Sequence, residues 1–245
     1  MAWHHEPLVG FDLETTGTDP LDARIVTAAV VSVEDGRPVR RRIWLADPGI
    51  RIPAQASAIH GISSERAAAE GRPASEVAEQ IAATLTDYWK AGVPIVAYNA
   101  AFDLTLLSAE LVRHGLPSLA ERLARGQEGS GIGPVIDPYT IDRAVDRYRR
   151  GKRTLEAVCA EYGVVLEEAH EASADALAAV RVACAIAERH ASVAAVAPAE
   201  LHSRQIRWYA DWAADFQGFL RRKGTPDAVV DGSWPVRALA GVGPA

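Results

Sequence analysis

The chain has 245 residues, 49% of them hydrophobic and 24% charged, with a formal net charge of −6. That length suits one sizeable domain with at most a smaller appendage, and the acidic balance argues against a protein that grips nucleic acid through a uniformly basic surface. No apolar run approaches the ~18 residues that would suggest a membrane span, and the opening "MAWHHEP" lacks the basic-then-apolar pattern of a signal peptide. A cytoplasmic protein with no membrane partner is therefore expected. Cys159 and Cys184 lack the CxxC spacing of a zinc or redox site. They read as small buried hydrophobes in a reducing compartment.

In chain order, "PLVGFDLE" alternates and runs into Thr-Thr-Gly, which predicts a strand ending in a turn. "RIVTAAVVSVEDGRPVRRRIWLAD" holds two β-rich runs joined at Asp35-Gly36, a hairpin signal. The loop "PGIRIPAQ" and a short "IHGIS" segment follow. Ser75 with Glu76 reads as the capped start of a helix through about Lys90, with Gly92 beyond its end. "VPIVAYN" is a buried strand, and "AAFDLTLLSAELVRHG" a helix stopped by Gly115. "GPVID" is a short strand leading into a helix expected to carry an arginine cluster. Thr154 caps "LEAVCAEYG", and "ASADALAAVRVACAIAERH" is a long helix with alanine-rich faces. After Pro198 one more helix is expected. Ile206, Tyr209, Ala213, Phe216 and Leu220 form its stripe, widened by Trp208, Trp212 and Phe219.

Three strands in meander, then helices alternating with two short strands, predict an α/β fold. Its sheet is mixed and five-stranded, three antiparallel strands then two parallel, flanked by helices and followed by a C-terminal helical extension. The boundary falls at residues 1–195 and 196–245. In such sheets active sites lie at the carboxyl ends of central strands, which is where the first strand ends.

Two acids sit at that end. Asp12 and Glu14, two apart on a strand, share one face while Phe11 and Leu13 pack on the other. Their spacing, roughly 6.6 Å at ~3.3 Å rise per residue, is within reach of a common metal pair. Half-buried carboxylates so close would take up a proton unless a cation offset their repulsion. The alternative is two solvent-facing acids on an edge strand. Asp103, early in the helix after a buried strand, can reach the same cleft, and Asp175 lies in the first turns of its helix. Either can instead be an acid favoured by the helix dipole.

"FDLETTG" resembles the first motif of the DEDD exonucleases, "AYNAAFDLTLL" their second and "HEASADA" their third in its histidine form. Three motifs in order, across about residues 7 to 190, are far more specific than any one. "IHGI" and "VIDPYTIDRAV" are similar to segments of the group containing the proofreading epsilon subunit of bacterial DNA polymerase III. The resemblance implies a ribonuclease H-like fold over residues 1–195 and a 3′→5′ exonuclease that releases nucleoside 5′-monophosphates. It makes Asp12, Glu14, Asp103 and Asp175 the carboxylate ligands of two Mg²⁺ or Mn²⁺ ions and His170 the general base. It assigns Thr15, Thr16, His60, Asn99 and Phe102 to the substrate. Tyr98 stands where histidine is commonest in the second motif, and Glu171 where another subclass has a tyrosine base.

The implied partner is nucleic acid with a free 3′ end, DNA favoured over RNA, and a polymerase subunit or a second copy can also associate. An RNA-trimming or oligonucleotide-degrading enzyme on the same fold is the alternative, and a silent end-binding module of a polymerase complex a further one. Basic clusters at 40–42, 143–153 and 220–223 are solvated faces or, for the middle one, a phosphate track. The aromatic C-terminal helix packs on its own domain or docks a partner.

Overall fold

The computed structural model describes residues 2–124, 131–167 and 170–240. The end of the C-terminal tail, residues 241–245, lies outside them. The meander forms as the alternation predicts: β1 (Leu8–Thr15), β2 (Ile25–Glu34) and β3 (Arg37–Asp47) are consecutive and antiparallel. Asp35 and Gly36 both take positive φ, 48° and 71°, the hairpin conformation their residue types favour. The sheet has six strands rather than five. β4 (Arg72–Pro73) runs parallel beside the end of β3, and β5 (Ile95–Val96) and β6 (Val135–Ile136) continue in parallel from β1, in the order β4-β3-β2-β1-β5-β6. A two-residue strand carries no periodicity that marks it in a sequence, and its proline is tolerated because it lies at the edge.

The "PGIRIPAQ" and "IHGIS" stretches hold two short helices, α1 (Ala54–His60) and α2 (Ser64–Glu70). Helix α3 spans Ala74–Lys90 with Pro73 at its N-cap, so Ser75 is inside the helix and is not its cap. Next come α4 (Ala100–Arg113), α5 (Leu119–Ala124) and α6 (Pro138–Val145). Because α6 ends at Val145, only Arg143 of the arginine cluster is helical and the rest lies in the following turn. Helix α7 (Leu155–Tyr162) starts at Thr154, whose side chain accepts from the Ala157 amide. Helices α8 (Ala172–Arg189), α9 (Ala191–Ala194) and α10 (Pro198–Arg222) complete the α-helices among the described residues, and Trp3–His5 form a short 3-10 turn ahead of β1.

The sheet is covered on both faces. Val9, Phe11 and Leu13 pack with Ile81 and Leu85 of α3 and Leu104, Leu107 and Leu111 of α4. Val31, Val96 and Ile136 pack with Leu177 and Val180 of α8. Helix α10 closes the β6 edge. Gln205, fully buried, donates to the Val135 carbonyl at 2.9 Å and accepts from the Asp137 amide at 2.7 Å, while His202 Nδ1 accepts from the Val135 amide at 3.1 Å. These side chains satisfy backbone groups that an open edge would leave exposed. The buried stripe of α10 is Leu201, Gln205, Tyr209 and Ala213; Ile206, Phe216 and Phe219 are exposed. No helix among the described residues is long and apolar enough to cross a membrane.

Candidate active site

Gly10, Asp12 and Glu14 share the face of β1 turned toward α8. A Cβ on Gly10 would come within 2.3 Å of the Ala176 carbonyl oxygen, so the glycine lets the α8 backbone rest directly on the strand. That close crossing sets Asp175, in the first turn of α8, beside the two strand acids. Asp12 and Glu14 are half-buried, and Asp175 is buried.

Asp103 arrives from the opposite direction. The short β5 pairs only with Val9 and Gly10, which leaves the Leu13 amide without a strand partner, and Asp103 Oδ1 accepts from it at 3.1 Å. Asp103 is buried in the first turn of α4. The start of α4 is itself held by Asn99, whose backbone is left-handed (φ 62°) and whose amide donates to Asp137 Oδ1 at 2.9 Å. Asp137 also accepts from Tyr139, Thr140 and, at 3.4 Å, the Trp234 indole of the C-terminal tail. Sequence reading missed Asp137 as a site element. An acid ahead of a proline-initiated helix signals the cap it provides for α6, and nothing local signals its bond to Asn99.

His170 is exposed and left-handed (φ 68°), a strained conformation for a residue with a side chain. Its amide donates to Asp175 Oδ2 at 3.2 Å. Ligand atoms of Glu14, His170 and Asp175 all lie within 4.8 Å of one another. Glu171, also missed, caps α8 by accepting from the Ser173 and Ala174 amides and adds a fifth carboxylate to the field of the cluster.

The electrostatics follow from this crowding. Burial, then Asp103, Asp175, Glu14 and Glu171, push the Asp12 carboxyl well above the usual carboxylate range. Burial likewise raises Asp103, against the opposing hydrogen bond from Leu13. Burial with Asp175 and Glu171 brings Glu14 up to about 7, and burial raises Asp175. Asp175 Oδ1 is buried without a hydrogen-bond partner among the described residues. Oxygen donors that repel one another, one of them orphaned, fit hard divalent cations.

Glu14 titrates near 4.5 as a free side chain and about 7 in the fold, so the native state holds a proton that the unfolded chain has lost. The stability this proton contributes is present below the lower value and is lost as pH rises through the upper one. Without metal, the melting temperature should fall between about pH 5 and pH 8, and the increment given by Mn²⁺ should grow over that window. Thermal melts with Mn²⁺ or EDTA check this, and an increment independent of pH would contradict it.

The residues expected to meet substrate surround this cluster. The Thr15 hydroxyl donates to the Gly17 carbonyl at 2.7 Å, and the Thr16 hydroxyl accepts from the Arg24 amide at 2.9 Å, so both hydroxyls are engaged within the turn. His60 ends α1 beside the Thr15 main chain; its Nδ1 accepts from the Ile62 amide, and its Nε2 is buried and unpartnered among the described residues. Burial lowers the His60 pKa. Phe102, half-buried, packs on the core next to Asp103.

A mixed sheet in this order, flanked by helices and with acids at the end of its central strand, defines a ribonuclease H-like exonuclease fold. The chain belongs to the RNase T exonuclease family, whose model matches residues 9–183. It is 29% identical over 175 residues to the PolC-type DNA polymerase III of Streptococcus thermophilus and 28% identical over 183 residues to that of Streptococcus mutans. These alignments cover 71% and 74% of this chain but 11% of each polymerase. Among solved structures, E. coli exonuclease I in complex with a dT13 oligonucleotide superposes with a TM-score of 0.61 at 20% identity, over 77% of this chain and 42% of that one. Exonuclease I from Methylocaldum szegediense gives 0.58 at 23%, with the same coverage.

Proposed function

We propose that the chain hydrolyses phosphodiester bonds at the 3′ ends of single-stranded or frayed DNA, releasing nucleoside 5′-monophosphates in proofreading or repair. The observation that carries this reading is the meeting of Glu14, His170 and Asp175 donor atoms within 4.8 Å, beside Asp12 and Asp103. Asp12, Glu14, Asp103 and Asp175 would hold two divalent cations, Mg²⁺ or Mn²⁺. Bound there, such ions supply Lewis acidity for the attacking water and for the leaving 3′ oxygen. His170 takes the proton of that water on its imidazole, and its exposure lets the proton pass on to solvent. Thr15, Thr16, His60, Asn99 and Phe102 hold the terminal nucleotide. His60 Nε2, beside the Thr15 main chain, offers a donor, Phe102 an apolar surface and the Thr15–Thr16 turn its main chain.

Residues 1–195 form the exonuclease domain in this reading, and residues 196–245 a helical extension; the bonds from Gln205 and His202 to β6 support its packing on the core. The two cysteines are free, in keeping with a cytoplasmic setting. Similarity to PolC-type polymerases supports a DNA substrate and a polymerase context.

A gel assay on 5′-labelled DNA and RNA strands, with Mg²⁺, Mn²⁺ or EDTA, tests this. DNA should shorten stepwise from its 3′ end, RNA more slowly, and EDTA should stop both. Shortening in EDTA, internal cleavage or no cleavage would overturn the reading, and faster loss of RNA would make the enzyme an RNA-trimming one.

A further inference from the structure

Helix α10 lies beyond the residues the family model matches, and its outer side carries a ladder of rings. Trp212 and Phe216 stack with centres 5.6 Å apart at 12°, and Phe216 and Phe219 at 6.3 Å and 13°. Phe216 and Phe219 are 39% and 46% exposed. Facing the ladder is Arg143 of α6, its guanidinium carbon 4.6 Å from the Tyr139 ring centre and 4.3 Å from that of Trp212. Arg143 Nε and Nη1 are buried between these rings and have no hydrogen-bond partner among the described residues. A hollow of about 430 Å³ lies between Arg143 and the Trp212 and Phe216 rings, with Phe219 continuing the ladder outside its lining, and a second of about 370 Å³, reaching Lys152, shares Tyr139, Arg143 and Arg153 with it.

The basic cluster divides accordingly. Arg149 and Arg153 bind the buried Asp142 and hold the turn, while Arg147 pairs with Asp215 at the surface, so all three are already engaged. Arg143, Arg150 and Lys152 have no acidic partner among the described residues. The trough thus has a cationic wall and an aromatic wall, and Asp211 on the aromatic side disfavours phosphate there. It also abuts the candidate active site. The Tyr98 hydroxyl donates to the Arg153 carbonyl at 2.7 Å, its ring meets Tyr139 edge-on at 5.6 Å, and Tyr98 directly precedes Asn99 at the start of α4.

We propose that this trough binds the 5′-ward part of the single strand whose 3′ end enters the site, phosphates along Arg143 and Lys152 and bases against the Trp212–Phe216–Phe219 ladder. A cationic groove lined with stacking rings is the general solution for gripping single strands without reading sequence. The proposal rests on the exonuclease reading above and extends it by a substrate-length preference. Strands long enough to reach α10 bind tighter than dinucleotides.

The test uses the full chain, with Phe216→Ala/Phe219→Ala and Arg143→Gln/Lys152→Gln as double variants. Anisotropy of 5′-fluorescein dT strands in Ca²⁺ gives Kd for lengths from about 2 to about 16 nucleotides. Hydrolysis of thymidine 5′-monophosphate p-nitrophenyl ester in Mn²⁺ reports the catalytic centre alone. Each variant should weaken the longest strand roughly tenfold, leave the dinucleotide unchanged and hydrolyse the ester like wild type. The charge variant should also lower the salt slope of log Kd by about 1.4. If Arg143→Gln loosens α10, seen as a lowered melting temperature, Arg150→Gln/Lys152→Gln replaces that pair. Wild-type affinity for long strands in all variants overturns the proposal and leaves the trough to a protein partner. Failure of the exonuclease reading shows differently, as a wild-type chain that binds strands but hydrolyses neither ester nor DNA.

Discussion

Asp12→Asn is expected to abolish turnover and, in the absence of metal, to raise the melting temperature. The two effects have one cause. Asp12 stands where the fields of Asp103, Asp175, Glu14 and Glu171 overlap, in a half-buried position that already disfavours its charge. Each carboxylate there costs the empty fold stability and is useful only once cations offset the repulsion. An amide of the same shape removes the repulsion without leaving a cavity, so the metal-free variant should melt higher, by roughly 2–4 °C for each kcal/mol relieved in a chain of this length. The same change removes a charged ligand. The loss of rate should be at least the ~10²–10³-fold that follows removal of a single electrostatic group from a preorganised site. Mn²⁺ should then raise the melting temperature less than in wild type. Single-turnover assays and melts with and without Mn²⁺ decide the matter. An active variant, or one whose Mn²⁺ stabilisation matches wild type, would remove Asp12 from the metal site.

The parts of this molecule that were legible in its sequence are those written in local periodicity. Asp12 and Glu14 were legible because a strand repeats every two residues, and the β2–β3 hairpin because Asp35 and Gly36 suit positive φ. Asp103 and Asp175 read locally only as acids in first helical turns, which they are; it is the resemblance of the second and third motifs that assigns them to the same site as Asp12 and Glu14. What could not be read is held by contacts between distant segments. Asp137 joins the Asn99 amide to the Trp234 indole, 97 residues further on, and Gln205 closes the β6 edge from 70 residues away. Neither leaves a pattern in its own neighbourhood. The aromatic stripe of α10 was legible in part: Tyr209 and Ala213 are buried as its spacing predicts, but Ile206, Phe216 and Phe219 are exposed. Helical spacing fixes which residues share a face but not which face the core takes, and here a polar residue, Gln205, sits at the centre of the buried face because β6 needs its hydrogen bonds. The arginine cluster likewise reads as one basic run, yet Asp142 commits two of its members to holding the turn.

His170→Ala separates proton transfer from metal binding, which the geometry leaves intertwined because His170 lies within 4.8 Å of both Glu14 and Asp175. If its imidazole acts as the base, the carboxylates remain intact in the variant. Mn²⁺ should still raise the melting temperature, the 3′ end should still bind, and the loss should fall on the chemical step, at the ~10²–10⁴-fold typical of a missing general base. Because hydroxide becomes more available as pH rises, the defect should shrink toward alkaline pH, whereas that of Asp12→Asn should not. A ligand role gives a different pattern, with weaker Mn²⁺ binding and a deficit that added Mn²⁺ repairs. The backbone matters to the comparison, since alanine must adopt the same left-handed conformation (φ 68°) that His170 holds. His170→Gly, which relaxes that strain, should lose as much rate as His170→Ala; a glycine variant restored toward wild type would make the alanine defect one of backbone placement. Single-turnover rates from about pH 6 to about pH 9, with Mn²⁺ titrated at each pH, distinguish these outcomes. Wild-type rates throughout for His170→Ala would leave the imidazole as a solvated side chain and require another group to accept the proton.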